Sequence, residues 1–214
     1  MTEAELEING EGQYIIDELP HDRVTHIIGA MLEKPWLDAW RKRVGYEEAE
    51  RIGEKTAYEG ELIHLITLLS DKKDRKGIDR LLNSHSWLLP HMLAWNEMVR
   101  ELKVRWISRE RVYFNKKLRI AGRLDGVGYI ESNPLPTIFD IKSGSLYDEI
   151  GIQVWGAYRE LYNLSALRKK RAGYALVVQL PRDRPGEWHT RDYTKDRYIQ
   201  KWNEIRDGYI KLYR

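Results

Sequence analysis

Two acids and a lysine carry the first chemical signal in this sequence. Asp125 sits in the glycine-flanked stretch Gly122-Arg123-Leu124-Asp125-Gly126, and 15 positions after it comes Asp140-Ile141-Lys142. Side chains alternate along a strand, so Asp140 and Lys142 share one face of an extended segment, and Asp125 can meet them from a neighbouring strand. Two carboxylates and an ammonium would then crowd one spot. Paired carboxylates repel unless a cation neutralises them. Hard oxygen ligands suit Mg²⁺ or Mn²⁺, which bind protein carboxylates together with phosphate oxygens. A lysine alongside would orient a water or stabilise charge developing on a phosphoryl group. The plainer reading makes both acids strand-end residues and Lys142 a solvated partner. Against it, Asp140 follows Ile138-Phe139 and precedes Ile141, an apolar setting where an unpaired charge is not buried without a reason.

The elements that must position these residues follow from periodicity. Residues 1–13 are acidic, Gly-bearing and without a period, and read as a flexible arm ahead of a single domain at 14–214. Apolar residues then recur at helical spacing, as in Val24, Ile27, Ile28 and Met31 and again in Leu62, Leu65, Ile66 and Leu69, which makes 14–103 a helical part. Pro35, Gly45, Gly77 and Pro90 punctuate it into about five helices, with Asp71 to Lys76 as an exposed connection. From 104 to 214 the pattern changes. Val104 to Phe114 is rich in β-formers, Asn115-Lys116-Lys117 offers a turn, Ile120 to Ile130 is a Gly-bearing strand, and Thr137 to Ile141 is a third strand. Helical period returns over 148–162, and 173–180 reads as a buried strand. The stretch 188–193 reads as an edge strand, and 195–213 as a closing amphipathic helix. The fold class is α/β, a mixed central sheet flanked by helices with an N-terminal helical region.

Composition narrows the classes. A 214-residue chain can bury roughly 70% of its unfolded surface, and 42% hydrophobic residues with 8 Trp and 13 Tyr are too many for a disordered chain. The absence of Cys excludes a disulfide framework and an iron–sulfur cluster, so any metal is held by O and N ligands. No stretch approaches the ~18 apolar residues of a membrane span, and the acidic start lacks the parts of a secretory signal. The expectation is a cytoplasmic or host-cell intracellular protein, not secreted and without a membrane partner. A net charge of +3 permits a local nucleic-acid surface without arguing for one.

Taken together, Ala121-Gly122-Arg123-Leu124-Asp125, Phe139-Asp140-Ile141-Lys142-Ser143-Gly144, and then Gln153 and Tyr158 resemble the PD-(D/E)XK nuclease superfamily. The RecB-like exonuclease branch is the nearest likeness, through the Gly-x-x-x-His helix matched by Gly60-Glu61-Leu62-Ile63-His64. The likeness runs from about Arg23 onward and extends to phage-type exonucleases and the mitochondrial genome maintenance exonuclease. It implies a restriction-endonuclease-like core and a Mg²⁺- or Mn²⁺-dependent deoxyribonuclease without an iron–sulfur cluster. It further implies an exonuclease acting on DNA ends, with single strands the favoured substrate, in repair or phage recombination. By the resemblance His64, Asp125 and Asp140 are metal ligands, Ile141 is a ligand through its carbonyl, and Lys142 is the catalytic lysine. Gln153 and Tyr158 support the site and the nucleic-acid backbone, and Glu110 matches an acidic position of relatives. Ser143 stands where Thr is commoner.

Other readings remain open. His64 on an apolar helix stripe is, taken alone, a core histidine. Glu61, three residues before it and on the same helix face, is a supporting carboxylate or a solvated one. Arg168-Lys169-Lys170-Arg171 is a solvated connection or a phosphate contact, and one or two of Trp36, Trp40, Trp87, Trp95 and Trp155 could stack on bases. A structure-specific or restriction-like endonuclease is the alternative activity, and a non-catalytic DNA-binding module is the alternative class.

Overall fold

The computed structural model describes residues 8–166 and 168–214. The part of the expected arm at residues 1–7 lies outside them. Residues 9–13 are a closed turn: the Gln13 amide N–H donates to Asn9 Oδ1, and Gln13 Nε2 donates to Asp22 Oδ1 at 2.7 Å. A hairpin of β1 (Tyr14–Ile16) and β2 (Leu19–Arg23) follows, where the sequence suggested helix. Its two-residue loop, Asp17-Glu18, has φ of 49° and 63°, the sense a twisted two-residue hairpin demands.

Five α-helices then run in succession: α1 (Val24–Met31), α2 (Pro35–Val44), α3 (Tyr46–Lys72), α4 (Arg75–Ser84) and α5 (Leu89–Glu101). The strands β3 (Arg105–Asn115), β4 (Ile120–Tyr129) and β5 (Thr137–Lys142) come next. A helical segment after them comprises α6 (Glu149–Gly151), a π-helical stretch (Ile152–Tyr158) and α7 (Arg159–Leu164). The chain closes with β6 (Tyr174–Gln179), the exposed edge strand β7 (His189–Asp192) and α8 (Asp196–Tyr213). Among the described residues no helix is long and apolar enough to cross a membrane.

The seven strands form one mixed sheet. β3 pairs antiparallel along nearly all of β4, so β2 and β5 must share the other edge of β4. β2 pairs parallel at Ile120 and Ala121, and β5 pairs antiparallel at Gly126, Val127 and Gly128. The β4–β5 ladder ends at Gly126↔Phe139, while β5 continues to Lys142 paired with parallel β6. The sheet therefore forks beside Asp125, and Ile141 turns its backbone groups into the open angle.

Helices cover both faces. Along β5, Ile138 joins an apolar cluster with Val24 and Ile27 of α1, Trp155 and Tyr158 of the π-helical stretch, and Trp202 of α8. Phe139 and Ile141 join a second cluster with Ile63 and Ile66 of α3 and Trp95 and Met98 of α5. The period-2 alternation of the strand distributes these side chains between the two layers. It also puts Asp140 on the side of Ile138 and Tyr158.

Candidate metal centre at the fork of the sheet

His64 reaches the fork because α3 buries Leu62, Ile63 and Ile66 against β5 and β6, which fixes the rotation of the helix. Its Nε2 lies 3.1 Å from the carbonyl oxygen of Ile141. From β4, Asp125 Oδ2 accepts the Ile141 amide N–H at 2.7 Å. Both backbone groups of Ile141, released where the ladder ends, are thus taken by side chains of the site. The other imidazole nitrogen, Nδ1, is 3.6 Å from Asp125 Oδ1 and 3.5 Å from Glu110 Oε1. One ligand atom each from His64, Glu110 and Asp125 lies within 4.8 Å of the others, a spacing one ion can span.

Glu110 enters this trio through its backbone. It lies in β3 with φ of 47°, a left-handed conformation that a non-glycine residue adopts at a cost of about 1 kcal/mol or more. Its Oε2 is 3.2 Å from Arg123 Nε, while its buried Oε1 has no hydrogen-bond partner. That oxygen faces the His64 imidazole, and an ion placed among the three groups would give it a second cationic neighbour. Two carboxylates and an imidazole match the hard, mixed O and N donor set of a divalent ion such as Mg²⁺ or Mn²⁺. No cysteine is present, so the donors are not those of an iron–sulfur cluster.

His64 feels both its own burial and the two acids beside it. Burial pulls the imidazole down, but the Asp125 and Glu110 carboxylates outweigh it and hold the group up to about 9. Asp140 stands next to the trio rather than in it. Its carboxylate is 1% exposed and lies 2.7 Å from Lys142 Nζ. Burial pushes Asp140 up and Lys142 draws it back. Burial pulls the Lys142 ammonium down, and Asp140 and Asp125 more than restore it, holding it above its ordinary range. The pair is a charged unit at the end of β5, on the Tyr158 side of the strand.

Gln153 and Tyr158 are also brought to the site. Gln153 Nε2 donates to the Tyr158 hydroxyl at 2.8 Å. Burial, then the negative charges of Asp140 and Asp125, push the phenol well above its usual range. The Tyr158 ring leans on β4 where only glycine fits: a Cβ on Gly122 would lie 2.7 Å from Tyr158 Cε1. Glu61 is not brought in. It is exposed on α3 and has no hydrogen bond or ion pair with the centre.

One residue behind the centre escaped sequence reasoning. Arg109 is buried beside the stacked rings of Trp95 and Trp106, whose centroids are 5.8 Å apart, its guanidinium 4.8 and 4.7 Å from them. Its Nε is 2.9 Å from Asp71 Oδ2, Nη1 donates to the Asp125 carbonyl at 3.0 Å, and Nη2 donates to Thr67 Oγ1. Arg109 thereby joins α3, α5, β3 and β4 behind the metal ligands. Asp71, expected in an exposed connection, is half of this buried pair, and burial pushes its carboxyl up against the pull of Arg109. Alternation alone would put Trp106 and Arg109, three positions apart, on opposite faces, and it is the register shift between Trp106 and Ser108 that brings them together. Of the other residues weighed, Trp95 is core, Trp36 is exposed and stacks on Tyr147 at 4.9 Å, and Lys169-Lys170-Arg171 are solvent-exposed.

Comparison with known proteins adds little to this geometry. No protein-family model matches the chain, and no curated protein matches it. A solved structure described as "Crystal structure of SSO0001" is similar at a TM-score of 0.33 with 13% identity, covering 72% of this chain and 75% of that one. That likeness is too loose to define a shared fold.

Proposed function

We propose that this protein is a metal-dependent deoxyribonuclease of the PD-(D/E)XK type, built on a restriction-endonuclease-like core and hydrolysing phosphodiester bonds at DNA ends. The observation that carries the reading is the convergence of His64, Glu110 and Asp125 within 4.8 Å. The Asp140–Lys142 pair stands beside them. His64, Glu110, Asp125 and the Ile141 carbonyl would hold Mg²⁺ or Mn²⁺. When bound, a divalent ion polarises a phosphoryl oxygen and neutralises charge building on it.

The chain's own groups do the rest. Asp140 keeps the Lys142 ammonium charged and aimed, so that Lys142 orients the attacking water and faces the negative charge of the phosphate. Gln153 and Tyr158 pack behind Asp140 and close that side of the site. The preference for ends over internal bonds rests on the sequence resemblance to RecB-like exonucleases.

The test is incubation with end-labelled linear DNA, single- and double-stranded, and with circular DNA, in Mg²⁺, Mn²⁺ or EDTA, beside Asp140→Ala. Metal-dependent shortening of linear strands that the variant lacks is the expected result. Cutting of circles would convert the reading to an endonuclease. Activity in EDTA, or equal activity in the variant, would overturn the catalytic assignment. Binding without cutting under any metal would leave a DNA-binding module.

A further inference from the structure

We infer that the cleft just beyond Lys142 is a second phosphate subsite, which holds a backbone phosphate of the substrate strand next to the one attacked. Beyond the last residue of β5 the chain runs Ser143-Gly144-Ser145, and beyond the last residue of β6 it runs to Arg182-Asp183-Arg184. These two loops and Gln179 line a cleft of about 350 Å³. It lies outside the carboxyl ends of two adjacent parallel strands, a place where α/β sheets commonly bind ligands.

The cleft is a built one. The Leu180 amide donates to the Lys142 carbonyl at 2.8 Å, the Arg182 amide to the Ser143 carbonyl at 3.2 Å, and Gln179 Nε2 to the Gly144 carbonyl at 2.7 Å. The loops are thereby locked to one another and to the end of the catalytic strand. Gly144 has no side chain to fill the space, and the nearest atom to a Cβ placed there is Arg182 Nη2 at 3.9 Å.

The chemistry of the lining suits an anion. Two guanidinium groups and two serines line it with one carboxylate, that of Asp183, and each guanidinium has an acid at its back, Glu59 for Arg182 and Glu187 for Arg184. Arg182 is held from behind by Glu59 of α3, Nη1 to Oε2 at 3.2 Å, and its buried Nε has no acceptor. A fixed guanidinium with an unused N–H is how proteins take up a phosphate, whose several oxygens accept from a planar fork and from hydroxyls together. Arg184 is tied only to exposed Glu187 and can swing to the same ligand. The inference takes its substrate from the nuclease reading above, but its anion chemistry stands without it.

Two assays on one set of variants test it. Binding of a fluorescent single-stranded oligonucleotide in EDTA, where no cutting occurs, is measured against salt for wild type, Arg182→Gln and Glu59→Gln, and inorganic phosphate is titrated by calorimetry. Arg182→Gln is expected to weaken oligonucleotide binding about 10-fold and to lower the salt slope by about 0.7. It should also abolish the phosphate heat. Glu59→Gln, which breaks the same ion pair but keeps the guanidinium, should bind at least as well as wild type. An oligonucleotide with a single uncharged methylphosphonate linkage should lose affinity for wild type at one linkage and lose nothing further for Arg182→Gln. Unchanged affinity and slope in Arg182→Gln, with DNA still cut by wild type, would overturn the subsite and leave the nuclease reading intact. Phosphate binding that requires Arg182, in a protein that never cuts DNA, would keep the subsite and sink the nuclease.

Discussion

Gln153 donates its amide to the Tyr158 hydroxyl at 2.8 Å although five residues separate them. On an α-helix, positions five apart point roughly 140° away from one another. The π-helical winding of Ile152–Tyr158 brings them to one side, and this rare turn is often found at functional sites. Because the Tyr158 ring fills the space over Gly122, Gly122→Ala is expected to destabilise the protein by about 1–3 kcal/mol. Tyr158→Phe, which leaves the Gln153 amide without its acceptor, should cost about 1 kcal/mol. Denaturant unfolding reads both. Full stability in Gly122→Ala would show that the ring does not rest on β4 there.

Metal affinity should separate Glu110 from Glu61. Glu110→Gln and Asp125→Asn each remove one charged oxygen donor and are expected to weaken Mn²⁺ binding at least ~10-fold, the lower end even for groups one shell out. Glu61→Gln, on the exposed side of α3, should bind as wild type does. Electron paramagnetic resonance of free Mn²⁺ measures all three. A normal affinity in Glu110→Gln would remove this acid from the ligand set.

The Asp140–Lys142 pair should reveal itself through its halves. Removing Lys142 leaves a carboxylate that is 1% exposed without its cation, and Lys142→Met is expected to cost about 3 kcal/mol of stability. The double variant Asp140→Asn/Lys142→Met should recover most of that loss while remaining inactive. Urea unfolding of the four proteins closes the cycle, and a double variant no better than Lys142→Met would argue against a coupled pair.

His91 should draw stability down on mild acidification, against the rise contributed by His64 and Asp140, whose folded forms hold protons more tightly than the unfolded chain. The His91 ring is buried in α5 with Nδ1 unpartnered, and burial pulls its pKa below the ordinary value of 6.5. Below pH 6.5 the unfolded chain takes up a proton that the folded chain refuses. Its share of stability is therefore whole above 6.5 and declines as pH drops, at up to about 1.4 kcal/mol per unit. His91→Gln should remove this contribution from the profile. Thermal melts between pH 7.5 and 5.5 decide it, and identical slopes would exclude His91 as the source.

Much of this architecture could be read from the sequence. β-former content and turn residues mark β3 to β6 at nearly their observed limits, and alternation puts Asp140 and Lys142 on one face, where the structure pairs them. The β1–β2 hairpin was hidden because its strands are three and five residues long and its turn uses Asp17-Glu18 instead of a glycine pair. Glu110 was underestimated for a related reason. Its place among the ligands depends on a left-handed residue inside a strand, and no alternation rule predicts one. Arg109 was missed because its place beside two stacked indoles depends on the register shift in β3 and on the packing of α5 against that strand.

The positive φ of Glu110 sets folding and chemistry against each other. Glycine at this position would relax the backbone and remove an acid from beside Asp125, so Glu110→Gly is expected to melt at or above the wild-type temperature while its Mn²⁺ affinity collapses. A selection for heat resistance alone, run on this chain, would drift toward proteins that keep the fold and give up this acid.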